Sequence, residues 1–171
     1  MIKLSILNIV HDTSVDGSGF RTAIYAAGCT HKCLECHNPE SWNIQNGIEY
    51  PIDTLLQIIK KNEFANVTFS GGDPLMQVEG FTELARRIKV ETEKNIWCYT
   101  GFLYENILKS EKLSQILPFI DILVDGQYIN SLQDDDLQFR GSSNQRIINI
   151  PKSLSKGKVI CREFDSVLYA V

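Results

Sequence analysis

Apolar residues recur along this chain in two rhythms. Short, mostly apolar runs occur at residues 2–10, 20–27, 67–70, 95–100, 120–124 and 146–150, and these read as β-strands. Between them the spacing changes. Ile52, Leu55, Leu56 and Ile59 recur at i, i+3, i+4 and i+7, as do Phe81, Leu84, Ala85 and Ile88. That spacing lays an apolar stripe along one side of a helix. A weaker helical segment covers residues 104–117 and is stopped by Pro118. Strands alternating with helices predict βαβ units and a mainly parallel sheet with right-handed crossovers. A closed eight-unit barrel takes about 250 residues. The 171 residues here hold about five to six βα units, which predicts a partial, open (βα) barrel forming one domain over residues 1–171.

Composition narrows the function. A chain of this length buries roughly 70% of its unfolded surface and needs no disulfide staples. The net charge of −4 argues against binding nucleic acid by phosphate neutralisation. No apolar run approaches the ~20 residues of a membrane span, so no membrane partner is expected. The apolar start is too short for a signal peptide and lacks a small-residue cleavage site, so a first strand is expected there, and the composition suits a cytoplasmic setting. Three of the five cysteines fall within residues 29–36. Without an export signal, such spacing points to metal binding and not to disulfides.

In parallel α/β sheets, ligands bind beyond the carboxyl ends of the strands. Three motifs follow predicted strands here: Cys29-x3-Cys33-x2-Cys36, Ser70-Gly71-Gly72-Asp73-Pro74 and Tyr99-Thr100-Gly101-Phe102. Cysteine thiolates hold iron–sulfur clusters, usually four for a four-iron cluster. Three close thiols leave one iron open to an exogenous group, by analogy with reactive zinc sites that keep a position free. Two other metal readings stay open at this point. One is zinc held by the cysteines with His31 or His37, in a non-enzymatic interaction module. The other is an electron-transfer cluster with Cys98 or Cys161 as fourth ligand. Cys98 lies on an apolar strand and reads as core, and Cys161 has no motif around it. The glycine pair permits close backbone approach to a ligand or a plain turn with Asp73 as helix cap. The three histidines form no separate metal set, and no nucleophile–His–Asp arrangement is present.

The Cys-x3-Cys-x2-Cys loop after an early strand resembles the radical S-adenosylmethionine superfamily. Within it, residues 16–148 resemble the enzymes that activate the anaerobic, class III ribonucleotide reductase. The resemblance is carried by Asp16-Gly17-Ser18-Gly19-Phe20-Arg21, the run from Cys36 through His37, Asn38 and Pro39 to Trp42, Val124-Asp125-Gly126 and the polar loop at residues 139–146. It implies a 4Fe–4S cluster on Cys29, Cys33 and Cys36 that cleaves S-adenosylmethionine. The resulting 5′-deoxyadenosyl radical would create a glycyl radical on the reductase, with a flavodoxin- or ferredoxin-type electron donor. It also implies cosubstrate contacts at Glu35, Cys36, His37, Gly71, Gly72, Asp73, Thr100 and Asp125, and partner contacts at Arg140, Asn144 and Arg146. Asp73 would receive the methionyl ammonium, and Asp125 would hold a ribose hydroxyl or an ion, if it is not a solvated turn residue. Two departures stand out: Ser18 replaces the usual proline, and Glu35 replaces an aromatic residue that would stack on adenine. An activator of pyruvate formate-lyase, or a small-molecule radical enzyme such as a deazaguanine synthase, is the alternative within the superfamily.

Overall fold

A computed structural model describes residues 2–162. Its strands form one open sheet of seven, in the order β3-β1-β2-β4-β5-β6-β7. They are β1 (Lys3–Thr13), β2 (Arg21–Ala26), β3 (Ile48–Pro51), β4 (Asn66–Gly71), β5 (Ile96–Tyr99), β6 (Ile122–Asp125) and β7 (Arg146–Asn149). Strands β2, β4, β5 and β6 run parallel as neighbours. The pairings of β1 with β2, β1 with β3 and β6 with β7 are antiparallel.

The sheet is therefore mixed and open, with three parallel crossovers in place of the expected five to six βα units. The reason is local. A parallel return needs a crossover of a dozen or more residues, and only residues 14–20 separate β1 from β2. Strand β3 went unread because it is a short edge strand ending at Pro51, where a missing N–H costs no ladder bond.

The helices are α1 (Ile52–Lys61), α2 (Val78–Glu91), α3 (Tyr104–Lys109), α4 (Glu111–Ser114) and α5 (Ile150–Lys156). The segment expected as one helix over 104–117 is broken at Ser110. That residue is extended, and its hydroxyl accepts from the Leu113 N–H to cap α4. Helix α5 starts at the end of the last predicted strand. Asn149 caps it, Pro151 sits in its first turn, and Gly157 closes it in the left-handed conformation.

Strand register sorts the sheet into two faces. One carries Ile24, Phe69, Cys98, Leu123 and Ile148, which pack with the helical stripes of α1 and α2 into the main core. The other carries Ala23, Thr68, Trp97 and Ile122, then Tyr25, Ser70, Tyr99, Val124 and Ile147. Loops cover this second face. Phe139 packs edge-on against Trp97 at 5.5 Å. The Asp16-to-Arg21 motif closes one end. Arg21 is fully buried and donates to Thr68 Oγ1 and to the carbonyls of Val67 and Ser18, and its guanidinium lies 5.3 Å from the Trp97 ring centroid. Burial pushes its pKa down to about 10. A Cβ on Gly17 would meet Arg21 and Trp97 at 2.8 and 2.9 Å, so the glycine there makes room for the guanidinium.

The edge at β6 and β7 is fastened by charge. Arg146 donates to both Asp125 oxygens and to both oxygens of Glu105. These bonds hold the Glu105 carboxyl down at about 2, from an ordinary 4.5. A depressed carboxyl contributes stability above its unfolded pKa and loses it as pH falls through the folded value. Urea unfolding of Glu105→Gln should therefore lose less stability than the parent chain between about pH 4.5 and 2. Parallel pH curves for the two proteins would contradict this.

Candidate functional site

Beyond the carboxyl ends of β2, β4, β5 and β6 lies a cavity of about 230 Å³. Its lining includes Cys29, Cys33, Cys36, His37, Gly71, Gly72 and Thr100, together with Tyr128 and Gln145. The three motifs that sequence placed after strands thus converge on one cleft.

The cysteine loop leaves β2 and is tied down by main-chain bonds. Gly28 N–H donates to the Ser41 carbonyl at 2.7 Å, and Cys29 N–H to the Trp42 carbonyl at 3.2 Å. Lys32 and Glu35 take positive φ values of 48° and 55°, which lets the loop double back on itself between the thiols. All three thiols are free and half-buried. Burial pushes the Cys29 thiol above its usual range, and the Asp73 carboxylate adds to the rise.

The glycine turn is stitched to the same loop. Gly72 N–H donates to the Ala26 carbonyl at 2.8 Å, and Asp73 N–H to the Gly28 carbonyl at 2.9 Å. A Cβ on Gly72 would stand 2.5 Å from the Gly28 oxygen. Glycine is demanded here by close approach to the cysteine loop, whatever else binds.

Three of the expected cosubstrate-contact residues, Glu35, Asp73 and Asp125, are not among those lining the cavity. Asp73 is fully buried and does not line the cavity. Its carboxylate accepts from the Leu75 N–H, the Thr100 hydroxyl, the Gly101 N–H and His31. It caps the turn Pro74–Gln77, so the cap reading of this residue holds. Asp125 is likewise fully buried, held by Arg146 and by the Tyr104 N–H at the start of α3. It is neither a solvated turn residue nor a lining residue of the cleft. Glu35 turns away and accepts from Asn130 at 2.8 Å. The aromatic surface beside Cys36 comes instead from His37 and Tyr128, whose ring centroids lie 4.7 Å apart.

The three expected partner residues each have bonds within the chain. Arg140 donates to the Gln145 carbonyl, Asn144 to the Gln127 carbonyl, and Arg146 to the acids named above. Cys98 is buried in the main core, and Cys161 is exposed and bridges to Ile148. Neither lines the cavity, so neither stands as a fourth cluster ligand in this arrangement. His31 has both ring nitrogens engaged, Nε2 with Asp73 at 2.7 Å and Nδ1 with Gln127 at 3.1 Å. Sequence reasoning missed Gln127, Tyr128 and Gln145, because nothing in a polar loop signals which amides fold back on the cleft.

Among the described residues, no helix is long and apolar enough to cross a membrane. Comparison with known proteins now adds to the geometry. The family model described as a 4Fe-4S single cluster domain matches residues 15–148. A Haemophilus influenzae protein named anaerobic ribonucleoside-triphosphate reductase-activating protein is 36% identical over 141 residues, covering 78% of this chain and 90% of that protein. Proteins of the same name from Enterobacteria phage T4 and Escherichia coli K12 are 34% and 33% identical over 139 residues. They match 78% and 77% of this chain and are themselves covered to 86% and 89%. With three thiols at 29, 33 and 36 inside the matched region, the chain belongs to the family of anaerobic ribonucleoside-triphosphate reductase-activating proteins, built on an iron–sulfur domain.

Proposed function

We propose that this chain activates the anaerobic ribonucleotide reductase by cleaving S-adenosylmethionine reductively at a single 4Fe–4S cluster held by Cys29, Cys33 and Cys36. The observation that carries the reading is the convergence of three free thiols and the glycine turn on one cavity at the carboxyl ends of the parallel strands. The donor set fits the group: three soft thiolates, unpaired in disulfides, open to the same space. When bound, such a cluster supplies the electron that splits the cosubstrate into methionine and a 5′-deoxyadenosyl radical, which takes hydrogen from a glycine of the reductase.

The chain's own residues bind, orient and shield. Gly71, Gly72 and Gly101 line the floor of the cleft with main chain, on which the methionyl group would lie. His37 and Tyr128 offer ring surface for the adenine. Gln127 lines the cavity with an amide that suits hydroxyls, while the Gln145 amide ties Gly126 to Gly141 and Ser142. Beside the cysteines, Leu34, Ile129 and Leu132 are exposed apolar side chains, suited to receiving a protein partner. A flavodoxin- or ferredoxin-type protein is the proposed electron source.

Anaerobic reconstitution with iron and sulfide, then reduction with S-adenosylmethionine present, should yield 5′-deoxyadenosine. Added reductase should develop a glycyl radical visible by electron paramagnetic resonance. A colourless protein carrying about one zinc and forming no 5′-deoxyadenosine would sink the proposal. A radical on pyruvate formate-lyase, with none on the reductase, would overturn the choice of partner.

A further inference from the structure

The extensions of all four parallel strands meet at one imidazole. His31 lies between Cys29 and Cys33, on the loop that follows β2. Its Nε2 is 2.7 Å from Asp73, which follows β4, and its Nδ1 is 3.1 Å from the Gln127 amide, which follows β6. After β5 come Gly101 and Phe102. The His31 ring stands edge-on to Phe102, with centroids 4.7 Å apart. A Cβ on Gly101 would fall 2.4 Å from the ring, so that glycine is shaped to the imidazole. With Gln127 donating to Nδ1, the ring is the tautomer whose Nε2–H faces the carboxylate. Asp73 is fully buried, and His31 is one of four groups donating to it.

The geometry points to His31 as a positioning residue for the reaction proposed above, on which this inference rests. The cysteine loop has no helix or strand of its own between Ala27 and Asn38, so its shape depends on what pins it. His31 pins it to the floor of the cleft and keeps the Asp73 carboxylate turned inward, toward Thr100 and Gly101. S-adenosylmethionine then meets a site whose walls are already in place, and no binding energy goes into ordering them. The imidazole lines the same cavity, and the role assigned to it is exerted through the loop and through Asp73.

The test compares His31→Ala with His31→Gln, because a glutamine amide N–H reaches about where Nε2–H stands. The first readout needs neither cluster nor cosubstrate. Lys32 is exposed on the same loop. In the cluster-free protein, trypsin should cut after Lys32 about tenfold faster in His31→Ala, and at near the parent rate in His31→Gln. The second readout uses reconstituted protein. The dissociation constant for S-adenosylmethionine, followed by the resonance of the reduced cluster, should rise about tenfold or more in His31→Ala and recover in His31→Gln. Failure of His31→Ala to take up iron, repaired in His31→Gln, would support the same role. Two variants that behave alike, both as the parent or both equally impaired, would overturn it. A parent protein that binds no S-adenosylmethionine would instead count against the function itself, and the trypsin comparison would still judge His31.

Discussion

Cys29→Ala, reconstituted anaerobically, should fold like the parent chain, carry almost no iron in place of about four per chain, and form 5′-deoxyadenosine only at background. The fold depends little on the thiols, beyond main-chain bonds from His31 and Lys32 to Cys29 within the loop. None is in a disulfide, all three are only half-buried, and the loop is fastened by the main chain of residues 28 and 29 to residues 41 and 42. Removing one sulfur leaves those bonds in place and removes one of three ligands. Two thiolates are too few for a four-iron cube that normally takes four protein ligands and is proposed to have three here. Cys33→Ala and Cys36→Ala should behave the same way. Cys98→Ala is the contrasting case. Its thiol is fully buried among Phe69, Leu123 and other core side chains, and burial pushes its pKa well up. That substitution should lower the melting temperature and leave iron uptake unchanged. Iron content and the visible absorbance of the reconstituted proteins decide both points. A Cys29→Ala protein with the parent's iron and spectrum would contradict the ligand assignment.

What could be read from sequence was whatever is encoded locally. The helical stripes on α1 and α2 are local, and their residues fill the main core as expected. All six predicted strands form, within a few residues of their expected bounds. The Cys-x3-Cys-x2-Cys spacing is local too, and its three thiols share a cavity. Chain direction in the sheet is not local. Whether a strand joins in parallel depends on what the connection crosses, and β7 returns antiparallel after a long loop with no crossover helix. Helix α5 shows the limit differently. Its cap, first-turn proline and closing glycine are all in the sequence, but the apolar run through Ile150 reads as unbroken strand.

The site acids were the hardest part to read. Asp73 and Asp125 follow strands, and acids in that position read as ligand contacts. Their protein partners are groups that sequence cannot bring near: His31 and Thr100 for Asp73, Arg146 and the start of α3 for Asp125. A buried carboxylate is paired first and available second. The floor of this cleft at Thr100 and Gly101 is thus held from behind by Asp73.

Gly71→Ala should expose that dependence. Gly71 has φ +97°, a conformation in which a side chain is strained, and an added Cβ would lie 2.6 Å from the Ala26 nitrogen and 2.7 Å from its oxygen. Those are main-chain atoms of β2, paired in register with Gly71 itself, and they cannot withdraw without parting β2 from β4. Strain and displacement together should cost about 3 kcal/mol or more. For a chain of this size that lowers the melting temperature by roughly 6–12 °C. Gly157→Ala separates the two contributions. Its φ is +62°, but nothing lies within 4 Å of the added Cβ, so it should cost only about 1 kcal/mol. The site should suffer as well as the fold. Gly72 N–H and Asp73 N–H donate to Ala26 and Gly28, so a shift at Gly71 moves the acid that His31 meets and loosens the cysteine loop above it. Thermal melts of the cluster-free proteins measure the first effect, and iron uptake at a temperature where both variants are folded measures the second. A Gly71→Ala chain melting within about 3 °C of the parent would show that β2 can yield there, and that the glycine serves the ligand and not the sheet.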